Sequence, residues 1–110
     1  MSARSFDISK SKKFGNVTVV NNSEKIGVTL HKTEVVKFDK DTNKIYLSSG
    51  GWQTPTTKTA INNALSQLES VVGQSFPGVF QKKGEWFLSD GTKFKDGMEL
   101  AVYPLLRELA

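Results

Sequence analysis

The residues best equipped for chemistry stand together in one stretch, Ser48-Ser49-Gly50-Gly51-Trp52-Gln53-Thr54-Pro55-Thr56-Thr57-Lys58. Two consecutive glycines permit positive φ and close backbone approach. The helix expected to follow presents unpaired N–H groups at its start. Hydroxyls and an ammonium group surround them. This set could hold an anion on Gly50, Gly51, Thr56 and Thr57, while Trp52 offers a ring on which an unpaired base could stack. An architectural reading fits the same residues: the glycines turn the chain, Trp52 plugs one end of the core, and Thr56 or Thr57 caps the helix. The glycine spacing and Gly-Lys-Ser/Thr ending of a phosphate-binding loop are absent.

A second group could meet nucleic acid. Lys10, Lys12, Lys13, Lys25, Lys37 and Lys58 can neutralise phosphates, and Tyr46 and Trp52 can stack on bases. Trp86, or an exposed edge strand, could instead recruit a protein partner. Other constellations fail on inspection. Asp39, Asp41 and Asn43 imitate the opening of a calcium loop, but Lys44 stands where glycine is needed and Gly50 where the bidentate glutamate is needed. A hairpin turn is the better reading. The single histidine, His31, is placed on the outer sheet face with no carboxylate beside it. With no cysteine, the chain lacks a disulfide, a thiolate metal site and a cysteine nucleophile. The serines and threonines lack a base to activate them. No enzyme, metal site or cofactor is expected.

The chain has 110 residues and a formal charge of +4. That length suits one domain, read as residues 15–110, behind a flexible basic arm at 1–14. Arg4, Lys10, Lys12 and Lys13 oppose only Asp7 in the arm, so the body is nearly neutral. The apolar runs are far shorter than the roughly 20 residues that span a bilayer, and the first 13 residues lack the apolar core of a signal peptide. A cytoplasmic protein with no membrane contact is expected.

The elements that must position these residues follow from periodicity. Val17 and Val19, Ile26 to Leu30, Val36 and Phe38, and Ile45 and Leu47 alternate with polar residues, which reads as a four-stranded meander. Pairing Val19 with Ile26, Leu30 with Val36 and Phe38 with Ile45 puts nine apolar side chains on one face, with Val20 and Val35 left on the other. Ile61, Leu65, Leu68 and Val72 then recur at helical spacing, so a helix is expected from about Lys58 to Val72, ending at Gly73. Its stripe is the natural cover for the sheet, with Asn62, Asn63, Gln67 and Glu69 turned to water. Phe76 to Tyr103 reads as hairpins turning at Lys83-Gly84, Asp90-Gly91 and Asp96-Gly97, with Phe80, Phe87 and Phe94 in one row. Leu105, Leu106 and Leu109 are expected to close the core. The fold class is therefore α+β: an antiparallel sheet, a meander plus C-terminal hairpins, packed on one principal helix.

Ser49-Gly50-Gly51-Trp52, followed by Thr54, Thr56-Thr57-Lys58 and Asn62, resembles a motif of small uncharacterised proteins of tailed bacteriophages. The preceding strands, Val35-Val36-Lys37-Phe38 and Ile45-Tyr46-Leu47, fit the same pattern. The resemblance covers about residues 28–65 and implies a phage origin, with the host cytoplasm as the setting. It brings no reaction with it. The functional expectation is a non-enzymatic accessory module that binds a host or virion protein or a second copy of itself. The alternative is a nucleic-acid binder using the basic arm and the lysine- and tyrosine-bearing sheet face.

Overall fold

A computed structural model of the protein describes residues 6–9, 11–51 and 53–102. In chain order the elements are β1 (Lys12–Phe14), β2 (Val17–Asn21), β3 (Lys25–Leu30), β4 (Thr33–Asp39), β5 (Lys44–Leu47), α1 (Pro55–Val72), β6 (Val79–Lys82), β7 (Glu85–Leu88) and β8 (Met98–Ala101). Six strands form one antiparallel sheet in the order β1-β2-β3-β4-β5-β8, and β6 and β7 form a separate hairpin. The α+β architecture with one main helix is as expected. Ala60, Ile61, Ala64, Leu65 and Leu68 of α1 are buried in one cluster with Val17, Val19, Ile26, Val28, Leu30, Val36, Phe38, Ile45 and Leu47 of the sheet.

The registers differ from expectation in instructive ways. Val19 faces Val28, and Ile26 faces Asn21. The turn is centred one residue later than expected, where the Asn22 side chain accepts the N–H groups of both Glu24 and Lys25. A shift of two residues leaves every side chain on its original face. Val36 faces Val28 rather than Leu30, because a bulge puts Glu34 and Val36 opposite the consecutive pair Thr29 and Val28. The extra residue is Val35, which the bulge turns inward to 0 % exposure instead of outward. Phe38 faces Ile45 as expected.

Helix α1 starts one turn early. Thr54, not Thr56 or Thr57, is the N-cap: its hydroxyl oxygen accepts the Thr57 N–H at 3.2 Å, and Pro55 takes the position where no N–H is needed. Gly73 ends the helix at φ 71°, as its position implied.

Residues expected to form a free arm at 1–14 are in part built into the fold. β1 extends the sheet, and Phe6 and Ile8 are buried in the core, Ile8 to 2 % exposure. What holds them is a helix side chain expected in water. Gln67 Oε1 accepts the Ile8 N–H at 2.9 Å, and its Nε2 donates to the Phe6 carbonyl at 2.8 Å. Asn62 does the same on another side of the helix, accepting the Val79 N–H at 2.7 Å and donating to the Val79 carbonyl at 2.9 Å. Glu69 accepts the Phe76 N–H at 2.8 Å. Each carboxamide replaces a neighbouring strand for a backbone that would otherwise lack one.

In the C-terminal third, Phe80 faces Phe87 as expected, but Phe87 bridges to Lys93 rather than Phe94. That one-residue slip moves Phe94 to the opposite face, where its ring packs edge-on against Trp86 at 5.2 Å. Asp96-Gly97 does not close a third hairpin. β8 pairs instead with β5, Leu47 opposite Met98, and completes the main sheet. Leu105, Leu106 and Leu109 lie outside the described residues.

Gln67→Ala should therefore lower unfolding stability by about 1–3 kcal/mol, since it orphans two backbone groups at once. Urea denaturation measures the loss, and a cost near zero would show that Gln67 is not a staple.

Candidate functional site

The chain leaves β5 at Leu47 and enters α1 at Pro55, and the loop between them is fixed by a distant carboxylate. Asp96 Oδ1 accepts the Ser49 N–H and the Ser49 hydroxyl, each at 2.7 Å, and Oδ2 accepts the Gly51 N–H at 3.2 Å. Ser49 is 1 % exposed, so these bonds satisfy a buried polar group. Gly50 N–H goes to the Ser48 hydroxyl at 3.1 Å. Gly50 has φ +63°, and a Cβ there would come within 2.6 Å of the Thr33 hydroxyl oxygen, so this position needs glycine for conformation and for space.

This geometry revises the expected anion site. The loop N–H groups of Ser49 and Gly51 do bind an anion, but it is the protein's own Asp96, and that of Gly50 is taken by the Ser48 hydroxyl. Thr57 is buried, with its hydroxyl 3.0 Å from that of Thr54, while Thr56 is half-buried in the first turn. The signal missed in the sequence is Asp96, which reads locally as half of an Asp-Gly turn. Partial burial pushes the Asp96 carboxyl up, but the hydrogen bonds from Ser49 and Gly51 outweigh it, and the group lies below its ordinary value of 3.8.

Beside this loop lies a cavity of about 340 Å³. Leu30 at the end of β3, His31 and Lys32 of the turn, and Thr33 and Val35 of β4 line it together with Ser49 of the loop and Thr57 of the helix. Ser48 N–H donates to the Val35 carbonyl at 2.9 Å and ties the loop to the bulge. His31 stands in the turn at φ 56°, not on the outer sheet face.

The lysines expected to bind nucleic acid are spread over two layers. Lys25, Lys37 and Tyr46 share the outer sheet face, as their alternation implied, but they are engaged there. Lys25 pairs with Glu34 at 2.9 Å, Lys37 lies 5.3 Å from the centre of the Tyr46 ring, and neighbouring Lys44 pairs with Glu99 at 3.3 Å. Lys12 and Lys13 lie on the edge strand β1, with the Lys12 ammonium 5.4 Å from the Phe14 ring. Lys58 sits in the helix layer, on the other side of the sheet. Lys10 and Trp52 lie outside the described residues.

Trp86 is not a surface residue. At 2 % exposure its indole belongs to the core, because alternation along β7 puts it on the same face as Leu88. The opposite face carries Phe80 and Phe87, with ring centres 6.0 Å apart and Phe80 42 % exposed. Lys82 and Glu85 share that face, and Lys93 pairs with Glu85 at 2.7 Å.

Residues 3–101 match the family described as Kyanoviridae Gp96 protein. The chain belongs to this family. The expected resemblance to phage proteins thus holds over residues 3–101, and the Gp96 match spans every described element, from β1 to β8. No curated protein and no solved structure matches the chain. Among the described residues, no helix is long and apolar enough to cross a membrane.

The Asp96 contact predicts a pH signature. Because its folded pKa is depressed, its stabilisation is complete above the unfolded value near 3.8 and is lost as pH falls through the folded value. Asp96→Asn should cost about 1 kcal/mol at pH 7, discounted for the partial exposure of Asp96. The gap to wild type should close as the pH drops below 3.8, read from melting temperatures at a series of pH values. A gap that stays constant would show that the charge of Asp96 does not hold the loop.

Proposed function

We propose that this phage protein is a non-enzymatic protein-interaction module whose contact surface centres on Phe80 and Phe87. The observation that carries this reading is the exposure of Phe80 beside Phe87 on a face where the fold makes no demand for aromatics. The β6–β7 hairpin already buries Val79, Trp86 and Leu88 on its other side, and polar residues would serve the outer face as well as Lys82 and Glu85 do. An aromatic pair rimmed by Lys82, Glu85 and Lys93 has the make-up of an interface centre with a polar border. Phe80 is the one aromatic among the large exposed apolar residues described.

The non-enzymatic part of this reading is supported by the loop hydroxyls, which are engaged within the fold. The Ser49 hydroxyl donates to Asp96, and the Thr57 hydroxyl pairs with Thr54. Nucleic-acid binding is the weaker reading, because the outer-face lysines are matched by Glu34 and Glu99 or lie on Tyr46. The partner is a host protein, a virion protein or a second copy of the chain.

Phe80→Ser tests the proposal with little risk to the core. Affinity capture from infected cells and sedimentation of the purified protein should show a partner or self-association that tolerates high salt and weakens at least about tenfold in the variant. A partner set and sedimentation profile unchanged by Phe80→Ser would overturn the proposal. So would salt-sensitive retardation of oligonucleotides at about 50 mM salt, which belongs to the nucleic-acid reading.

A further inference from the structure

The cavity between the β3–β4 turn and the start of α1 has the size of a small-molecule site and a chemically divided lining. Its floor is apolar, with the edge of Leu30 and the half-buried Thr33 at the surface and Val35, fully buried, behind them. The rim carries cationic and polar groups. Lys32 is exposed, and no carboxylate forms an ion pair with it among the described residues. His31 stands next to it. The first turn of α1, which contributes Thr57, contains no acidic residue, so the positive end of the helix is not neutralised there by its own side chains.

Four features shape this space. The bulge buries Val35 behind it, His31 adopts a left-handed conformation uncommon for a non-glycine residue, Gly50 packs against Thr33, and Asp96 fixes Ser49. Two carboxylates adjoin lining residues: Glu34, which pairs with Lys25, and Asp96. Asp96 does not line the cavity, and its charge is dispersed over three donors. We propose that this cavity binds a small amphipathic anion, with an apolar ring or branched chain on Leu30 and Thr33 and a carboxylate or phosphate monoester at Lys32 and His31. This site is separate from the Phe80 surface, and neither needs the other.

Titration of the labelled protein with benzoate, phenyl phosphate, toluene and inorganic phosphate, followed by amide chemical shifts, tests both halves of the proposal. Benzoate or phenyl phosphate should move the amides of Leu30 to Val35, Ser49 and Thr57 saturably, and should bind at least about fivefold more tightly than toluene or inorganic phosphate. Which of the two binds better identifies the head group. Lys32→Ala, an exposed turn substitution, should weaken the better ligand about fivefold, and Leu30→Ala should weaken it by removing the floor. If Leu30→Ala does not fold, Lys32→Ala decides alone. The proposal is overturned by no saturable shift at about 10 mM ligand. It is equally overturned if inorganic phosphate matches the aromatic anions, or if toluene matches them with Lys32→Ala indifferent.

Discussion

One helix must cover a sheet wider than itself. Six strands span roughly 24 Å at a spacing of about 4.8 Å, whereas an α-helix with its side chains is only about 10–12 Å across. Ile61, Leu65 and Leu68 cover the centre of the sheet, over β3 and β4, and the apolar rows on either side would remain wet. The rest of the chain is arranged around that deficit. Phe6 and Ile8 fill the side toward β2, where Asn21 Nδ2 donates to the Ile8 carbonyl at 2.8 Å. Val79, Trp86, Leu88 and Phe94 join the same core from the β6–β7 side. Each flanking segment brings backbone groups with no strand beside them, and Gln67 and Asn62 satisfy those groups. Five residues apart, the two carboxamides project about 140° from one another around the helix, which is why one can reach each flank.

That arrangement explains which parts were legible in the sequence. The period-two alternation from Val17 to Leu47 and the helical stripe from Ile61 to Val72 report burial directly, so the sheet face, the helix and their contact were readable. Register errors of two residues did no harm, because they preserve the face. The bulge at Val35 and the slip at Phe94 are one-residue events, and each moves a side chain from one face to the other with no mark in composition. Gln67 and Asn62 read as solvated in the sequence because amides on a helix usually are. Their partners, at Phe6, Ile8 and Val79, are fixed by tertiary placement alone. The same holds for Asp96, whose role depends on β8 joining β5 and carrying its preceding turn back to Ser49.

The glycine loop shows how a ligand-binding motif and a structural one can be the same object. Consecutive N–H groups in a turn concentrate positive potential, and some acceptor must meet them. In this protein Asp96 does so, which turns the loop into a clasp between the end of β5 and the approach to β8. The clasp holds Ser49 in the wall of the neighbouring cavity and keeps Gly50 against Thr33. Chemistry inferred from the loop alone is thereby displaced from the loop N–H groups to the space beside them, where Lys32 has no such acidic partner among the described residues.

The β6–β7 hairpin carries the remaining asymmetry. A two-stranded ribbon is marginal by itself and gains its stability from whatever one face packs against. Here the face bearing Val79, Trp86 and Leu88 supplies that anchorage, and Asn62 fixes the entry to β6. The stability of the ribbon is thus settled by one set of alternate residues, and the other set is free of structural duty. Placing Phe80 and Phe87 in the free set leaves aromatic area in water, against the hydrophobic driving force that organises the core. Trp86 and Phe80 are therefore related as anchor and outlet: burial of the indole on one side is what presents the phenyl rings, held on a rigid support, on the other.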